Sequence, residues 1–194
     1  HSLTPGRDTH VKILNDHHIE GYVTGDMEGS YHLPLTCYFY AEFNKAFTSV
    51  GTWNGENIHF DQKEISGEAG VGAFVNFATS EGEQVLIKVG ISFVSIEGAK
   101  KNLQTELPHW DFDKTHKEAQ DVWNEKLNKI EIKGGTKDQK TIFYTSMYHS
   151  HLFPRVFSDV DGSYYSHFDD TIHGAPNERN YVDFSLWDTY RAQH

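Results

Sequence analysis

An indole, a carboxylate and a guanidinium fall close together at Trp187, Asp188 and Arg191, in the segment NYVDFSLWDTYR. If this segment begins a helix, Asp188 and Arg191 are neighbours on its surface, because side chains three positions apart share a face. An aromatic ring can cover the C–H side of a pyranose, a carboxylate can accept from two adjacent hydroxyls, and an arginine can hold that carboxylate in place. The trio predicts a sugar-binding site, although a core tryptophan beside a structural Asp–Arg pair explains the same residues equally well.

The composition is that of a folded, acidic chain. Of its 194 residues, 17 are Lys or Arg and 28 are Asp or Glu, which gives a net charge of −11. This charge opposes binding to nucleic acids and to anionic membrane surfaces, and it favours neutral or cationic ligands. The 4 Trp, 10 Tyr and 13 Phe suit glycan contact, but an aromatic-rich β core has the same composition. No apolar run approaches the roughly 18 residues of a membrane span.

The first half of the chain has the pattern of short strands. From about residue 11 to residue 94, alternating apolar runs are separated by Gly, Asn, Asp and Ser clusters, which predicts an antiparallel β-sandwich. Asn54-Gly55 is typical of a two-residue hairpin turn. One run should place all its apolar side chains on one face of its strand: Val85, Ile87, Val89, Ile91 and Phe93.

At Ser95 the apolar period changes to that of helices. Ser95 can cap a first helix that ends before Pro108, a second is expected from about Asp113, and the capping-box sequence Thr136–Gln139 opens a third. The second helix should carry an apolar stripe of Ala119, Val122, Trp123, Leu127 and Ile130, and the third one of Ile142, Phe143, Met147 and Leu152. A long polar and aromatic loop is expected over residues 153–180.

Several spacings invite a metal-site hypothesis, and none is strong. Ser158–Gly162 reads SDVDG, like the start of a calcium loop, but the complete ligand order is missing and an Asx turn is the simpler explanation. His17-His18 and the pair His149 and His151 are poorly placed for chelation, although His149 or His151 could still bind a ligand. The single Cys37 excludes an internal disulfide and a cysteine-based zinc site. We therefore predict no metal site in this segment.

Two blocks resemble glycoside hydrolase family 92, the calcium-dependent exo-acting α-mannosidases. They are FYTSMYHSHLFPRVFSDVDG at residues 143–162 and YVDFSLWDTYRAQH at residues 181–194. The segment VSIEGAKKNL at residues 94–103, followed by a Trp-containing helix, is similar to that family's connector. The likeness is specific over about the last hundred residues, whereas the preceding strands agree only in type.

The resemblance implies a fold class and a division of the chain. We expect part of an N-terminal β-sandwich over residues 1–94, a helical linker over 95–135, and the beginning of an (α/α)6 barrel over 136–194. Because the chain starts at His1 without Met and stops at His194, soon after a predicted helix start, we expect an internal fragment.

The resemblance also implies roles for the residues of the opening trio. Trp187 and Asp188 would contact the terminal mannose, and Arg191 would support Asp188. The family's catalytic carboxylates and calcium ligands lie beyond position 194, so we expect no catalytic residue here and no activity from this segment alone. Tyr164–Phe168 departs from the family pattern, so we expect the loop shape and the substrate preference to differ from those of the family.

We predict a segment of a secreted or periplasmic enzyme that removes terminal α-linked mannose from glycans by an inverting, calcium-assisted reaction. Its expected partners are a mannose-containing glycan and the remainder of its own polypeptide. Two alternatives stay open. One is a non-catalytic carbohydrate-binding β-sandwich module, and the other is a barrel-fold relative that has lost its activity.

Overall fold

The computed structural model describes residues 7–26, 34–68, 70–174 and 176–184. The chain divides into two compact units, the first formed by His1–Trp110 and Ser158–Glu178, the second by Asp111–Phe157 and Arg179–His194. In the described ranges, no helix combines the length and the apolar character needed to cross a membrane.

The first unit is built from strands that form two antiparallel sheets. In chain order these strands are β1 (Asp8–Ile13), β2 (His18–Asp26), β3 (Pro34–Phe43), β4 (Ser49–Asn54), β5 (Asn57–Phe60), β6 (Glu64–Gly67), β7 (Val71–Asn76) and β8 (Ile87–Ser92). The larger sheet has the order β6-β1-β2-β3-β8, and the smaller has the order β5-β4-β7. Contacts of β7 with β1 and β6, and of β4 with β6, bring the sheets together, as the sequence predicts for a sandwich.

The two faces of the larger sheet differ in chemistry. The register aligns His10, Tyr22 and Tyr38 across β1, β2 and β3, so these polar rings share one face. Because side chains alternate along a strand, the opposite face carries the buried core side chains Val11, Ile13, Leu35 and Ala41. The sandwich thus buries aliphatic residues on one side of this sheet and carries a row of polar rings on the other.

The apolar row predicted on β8 lies on one face, but that face is exposed. Ile87, Val89 and Ile91 are 54%, 50% and 54% exposed, whereas the alternate positions Lys88 and Ser92 are buried. The smaller sheet contacts β1 and β6, at the opposite end of the larger sheet from β8, so among the described residues it leaves the apolar side of β8 largely uncovered. A helix covers the other side.

That helix is α1 (Ile96–Glu106), which begins and ends where the sequence predicts. The Ser95 hydroxyl accepts from the Gly98 backbone N–H at 2.9 Å, and Leu107 follows the last turn. Its residues Ala99 and Leu103 pack with Tyr40 of β3 in a buried cluster. A Cβ atom at Gly90 would lie 2.2 Å from the Ala99 carbonyl oxygen, so this close approach of helix and strand requires glycine.

The hairpin predicted at Asn54-Gly55 forms one residue further along. Asn54 still pairs with Asn57, which makes Gly55 and Glu56 the turn residues. Gly55 has a φ of 58°, a left-handed conformation that glycine adopts without strain.

The second unit contains the other two described helices, α2 (Phe112–Leu127) and α3 (Lys137–Ser150). Asp111 caps α2, and Thr136 with Gln139 forms the predicted capping box of α3. The rings of Trp123 and Tyr148 meet with centroids 4.6 Å apart. The predicted apolar stripes extend too far, because Ile130 and Leu152 lie outside the helices. Among the described residues, neither helix has a fully buried side chain.

The stretch predicted as a long loop contains short strands, so that prediction is wrong. They are β9 (Arg155–Val156), β10 (Ser163–Ser166) and β11 (Thr171–Gly174), and β12 (Tyr181–Val182) follows directly after the stretch. In the first unit β10 and β11 form a hairpin, and in the second unit β12 pairs with β9. These strands are two to four residues long, so they are too short to show the apolar alternation that marks a strand in a sequence.

The fold class agrees with the expectation. A sheet-rich N-terminal part is followed by a helical region, and among the described residues the three helices do not close a barrel.

Candidate functional site

The predicted sugar-binding trio, Trp187, Asp188 and Arg191, lies outside the described residues. The roles assigned to the three side chains therefore stay predictions. The structure instead shows how the preceding residues are held.

The segment leading to Trp187 is anchored within the second unit. Strand β12 pairs with β9, and the Phe157 backbone N–H donates to the Asn180 carbonyl oxygen at 2.8 Å. Just after β12, Asp183 adopts a φ of 64° and its Oδ2 accepts from Arg155 Nε at 2.6 Å. These contacts fix the chain at Asp183, four residues before Trp187.

In the SDVDG segment, Asp159 is a buried anchor of the first unit. The residue is 8% exposed; its Oδ2 accepts from the Ser92 hydroxyl at 2.7 Å and its Oδ1 from Asn102 Nδ2 at 2.8 Å. A Cβ atom at Gly98 would lie 2.3 Å from Asp159 Oδ2, so the helix can approach the carboxylate this closely only with glycine there. Asp159 thus ties its turn to the end of β8 and to α1.

Asp161 completes the turn from the exposed side. Its Oδ1 accepts from the Ser163 backbone N–H at 2.9 Å, and its Oδ2 accepts from Lys101 Nζ at 3.0 Å. The Gly162 backbone N–H donates to the Asp159 carbonyl oxygen at 2.9 Å. This is the Asx turn expected as the alternative to a calcium loop, since donors of the chain itself engage both carboxylates.

The pKa values of the two carboxyl groups are shifted in opposite directions. Burial raises the pKa of Asp159, against the donation from Ser92 and Asn102. The Ser163 backbone N–H and the Lys101 ammonium lower the pKa of Asp161 to about 2. Two carboxyl groups whose pKa values are shifted apart can serve as the acid and the base in catalysis. Here both groups are hydrogen-bonded by other residues of the same chain, and we assign them a structural role.

The described histidines are not arranged for chelation. His151 Nδ1 lies 2.8 Å from the Met147 carbonyl oxygen of its own helix, while His17 and His18 lie 2.9 and 2.8 Å from Asp16 and Asn15. Across the described ranges no group of three or more His, Cys, Asp or Glu side chains is placed to hold a metal ion.

The first unit contains a cavity of about 440 Å³ that the sequence analysis missed. Its floor includes Thr24, Thr36 and Tyr38 of β2 and β3, and one of its walls is the β10–β11 hairpin. On that wall Tyr165 donates a hydrogen bond to Asp170, and this bond raises the pKa of the Tyr165 phenol to about 12. The sequence analysis singled out Tyr164–Phe168, which contributes Tyr165 to this cavity. No motif in the sequence connects that stretch with Thr24 or Thr36.

Solved structures of other proteins share this architecture. The structure matches a family GH92 inverting mannosidase of Bacteroides thetaiotaomicron with a TM-score of 0.85 and 29% identity, covering 96% of this chain and 25% of that one. It also matches a family GH92 α-mannosidase of the same organism with a TM-score of 0.84 and 32% identity, again over 96% of this chain and 25% of the other.

Sequence comparison agrees. A secreted glycosidase of Arthroderma benhamiae, itself uncharacterised, is 33% identical over 131 residues, which are 63% of this chain and 16% of the relative. This chain therefore spans a sixth to a quarter of the length of these relatives. The model of the glycosyl hydrolase family 92 N-terminal domain matches residues 1–92, and the model of that family's catalytic domain matches residues 98–194. The chain belongs to glycosyl hydrolase family 92, as its two sequence blocks predicted.

Proposed function

We propose that the complete protein is an α-mannosidase that removes terminal mannose from glycans. The observation that carries the proposal is the match to both domains of family 92 in the right order, together with the likeness to two mannosidases over nearly the whole chain. The net charge of −11 also favours a neutral substrate over a polyanion.

In the proposed reaction this segment contributes to sugar binding and not to bond cleavage. The Trp187 ring covers the C–H side of the terminal mannose, the Asp188 carboxylate accepts from its hydroxyls, and Arg191 supports Asp188. In an inverting hydrolysis a carboxylic acid protonates the departing oxygen while a carboxylate activates water on the opposite face. Both carboxylates are expected beyond residue 194.

Calcium assistance is part of the proposal, with its ligands expected beyond residue 194. The described residues do not fit a calcium site, because donors of the chain engage Asp159 and Asp161 and no other acidic group is assembled for the purpose within the described ranges. No step of the reaction is therefore assigned to the ion.

The test is hydrolysis of α-mannosides by the complete protein, with and without a chelator, with the product followed by NMR. The proposal predicts release of β-mannose as the first product and loss of activity on chelation, with recovery when calcium is added. Hydrolysis of an unrelated sugar only would contradict the proposed substrate. Release of α-mannose first would contradict the inverting reaction, and activity that does not change on chelation would contradict calcium assistance.

A non-catalytic carbohydrate-binding module is the second candidate, and one observation favours it. The rings of His10 and Tyr22 are stacked with centroids 5.5 Å apart, and Tyr38 continues the row at 5.8 Å from Tyr22. A row of rings on a sheet face can support a glycan chain. Glycan binding by the complete protein without hydrolysis of any α-mannoside would favour this candidate over the enzyme.

A secreted or periplasmic location belongs to the same proposal. It is supported by the relative from Arthroderma benhamiae, which is described as a secreted glycosidase. The expected partners are the mannose-containing glycan and the remainder of the polypeptide.

A further inference from the structure

The cavity of the first unit has a rigid floor. Thr24 and Thr36 face each other across β2 and β3, with their hydroxyl oxygens 2.8 Å apart. Tyr38 lies two positions further along β3 on the same face, and Phe93 follows the end of β8. The floor therefore belongs to the central strands of the larger sheet and does not depend on a loop.

The wall is anchored as well. The Asp159 backbone N–H donates to the Ser163 carbonyl oxygen at 2.8 Å, at the start of the β10–β11 hairpin. Since the Asp159 side chain is bonded to Ser92 and Asn102, the hairpin is fixed to the end of β8 and to α1. The cavity is thus preformed, as small-molecule sites usually are, and its volume of about 440 Å³ is within their range.

The lining combines ring faces with hydrogen-bonding groups. Tyr38, Phe93 and Tyr165 supply the rings. The hydroxyls of Thr24 and Thr36 bond to each other, which leaves one O–H donor and acceptor lone pairs on both oxygens for a ligand. The Asp170 carboxylate also lines the cavity, and its Oδ1 accepts from Tyr165. No Lys or Arg is found among the described residues that line the cavity, which argues against phosphates and acidic sugars.

We propose that this cavity is a second sugar site, which binds a neutral pyranose ring of the mannose-containing glycan. A pyranose presents C–H faces to aromatic rings and a rim of hydroxyls to a carboxylate and to threonine hydroxyls, and the cavity offers both. The inference rests on the proposed function, which supplies the glycan. The wall of this site is the part of the β10–β11 hairpin that carries Tyr165, Asp170 and Ile172.

The experiment is calorimetric titration of the complete protein with an S-linked α-mannobioside, which resists hydrolysis. Ile172→Trp is the main variant, because Ile172 pairs with Tyr165, lines the cavity and is 58% exposed, so a larger side chain fills the space without loss of a buried contact. Phe168→Ala is the matched control on the same hairpin, at a residue that is 98% exposed and does not line the cavity. Hydrolysis of 4-nitrophenyl α-mannoside is measured on each preparation.

The wild-type protein and Phe168→Ala should each bind two equivalents, and Ile172→Trp should bind one while its kcat/KM for the aryl mannoside stays within about twofold. Asp170→Asn, which suits the φ of 56° at that position, should weaken the second equivalent by about 5- to 20-fold. Binding of one equivalent of the mannobioside by every protein would overturn the cavity inference. Binding of two equivalents that neither Ile172→Trp nor Asp170→Asn changes would overturn it as well. Absence of aryl-mannoside hydrolysis by the wild-type protein would overturn the proposed function instead, and the titration would still decide the cavity.

Discussion

Arg155 donates to a single oxygen of Asp183 from two of its nitrogens, with Nε at 2.6 Å and Nη2 at 2.5 Å. The acid is the less exposed partner, at 18% against 47% for the arginine side chain. Asp183 follows the short β9–β12 pairing and holds a left-handed backbone conformation, so the ion pair fixes the direction in which the chain leaves that pairing. The next residues along the chain are those that lead to Trp187 and Asp188.

We expect Arg155→Gln and Asp183→Asn each to lower kcat/KM for an aryl α-mannoside by about 3- to 10-fold, or ~0.7–1.4 kcal/mol. Asparagine retains the tolerance for positive φ, so the effect of Asp183→Asn reports the lost charge and not backbone strain. The double variant should lose no more than the worse single variant, because the two side chains act through each other. Additive losses in this kinetic double-mutant cycle would show that the pair does not act as a unit.

Asp159→Ala should destabilise the complete protein by about 2–4 kcal/mol, because it leaves the Ser92 hydroxyl and the Asn102 amide without their buried acceptor. Asp161→Ala, two residues along in the same turn, is the matched control and should cost about 1 kcal/mol or less, since its partner Lys101 is 53% exposed. Thermal unfolding of the three proteins measures the difference. Equal losses at the two positions would contradict the assignment of Asp159 as the anchor.

The caps and the turn show why some local features could be predicted. Ser95 and the Thr136–Gln139 box bond to backbone groups within three residues, so the sequence alone contains both partners. The hairpin at Gly55 was placed correctly to within one residue for the same reason.

The anchors could not be predicted, because their partners are distant in the sequence. Ser92 and Asp159 are 67 residues apart, and Arg155 and Asp183 are 28 apart. The alternation of Ile87, Val89 and Ile91 specified that they share a face but not that the face is exposed, since a period of two is the same for either side. The cavity combines Thr24 and Thr36 with a hairpin far along the chain, and no single segment carries its chemistry.

Stability at low pH should depend on Asp161. Its pKa is lowered from 3.8 to about 2 in the folded protein, so its contribution is fully present above the unfolded value near 3.8 and is lost as the pH falls through about 2. After allowance for solvent screening of a side chain that is 37% exposed, the contribution is about 1 kcal/mol. The difference in melting temperature between the wild-type protein and Asp161→Asn should therefore be constant from pH 7 to about 5 and should disappear near pH 2.

Lys101→Ala provides the control for this pH dependence, since it removes one of the two main causes of the shift and leaves the Ser163 backbone N–H in place. It should reduce the pH-dependent difference without abolishing it. A difference that persists unchanged at pH 2 would mean that Asp161 acts through its size and hydrogen bonds and not through its charge.

Asp188→Ala tests the sugar-binding role that the family resemblance assigns. If its carboxylate accepts from hydroxyls of the terminal mannose, its removal should cost roughly 2–4 kcal/mol of transition-state stabilisation, which is about a 30- to 900-fold loss of kcat/KM for an aryl α-mannoside. Glu178→Ala, at an exposed acid ten residues earlier, should leave the kinetics unchanged. Trp187→Phe retains an aromatic face and should lose less activity than Trp187→Ala. Unchanged kinetics in Asp188→Ala would return Asp188 and Arg191 to the alternative of a structural ion pair beside a core tryptophan, and the sugar contacts of this segment would then have to be made by other residues.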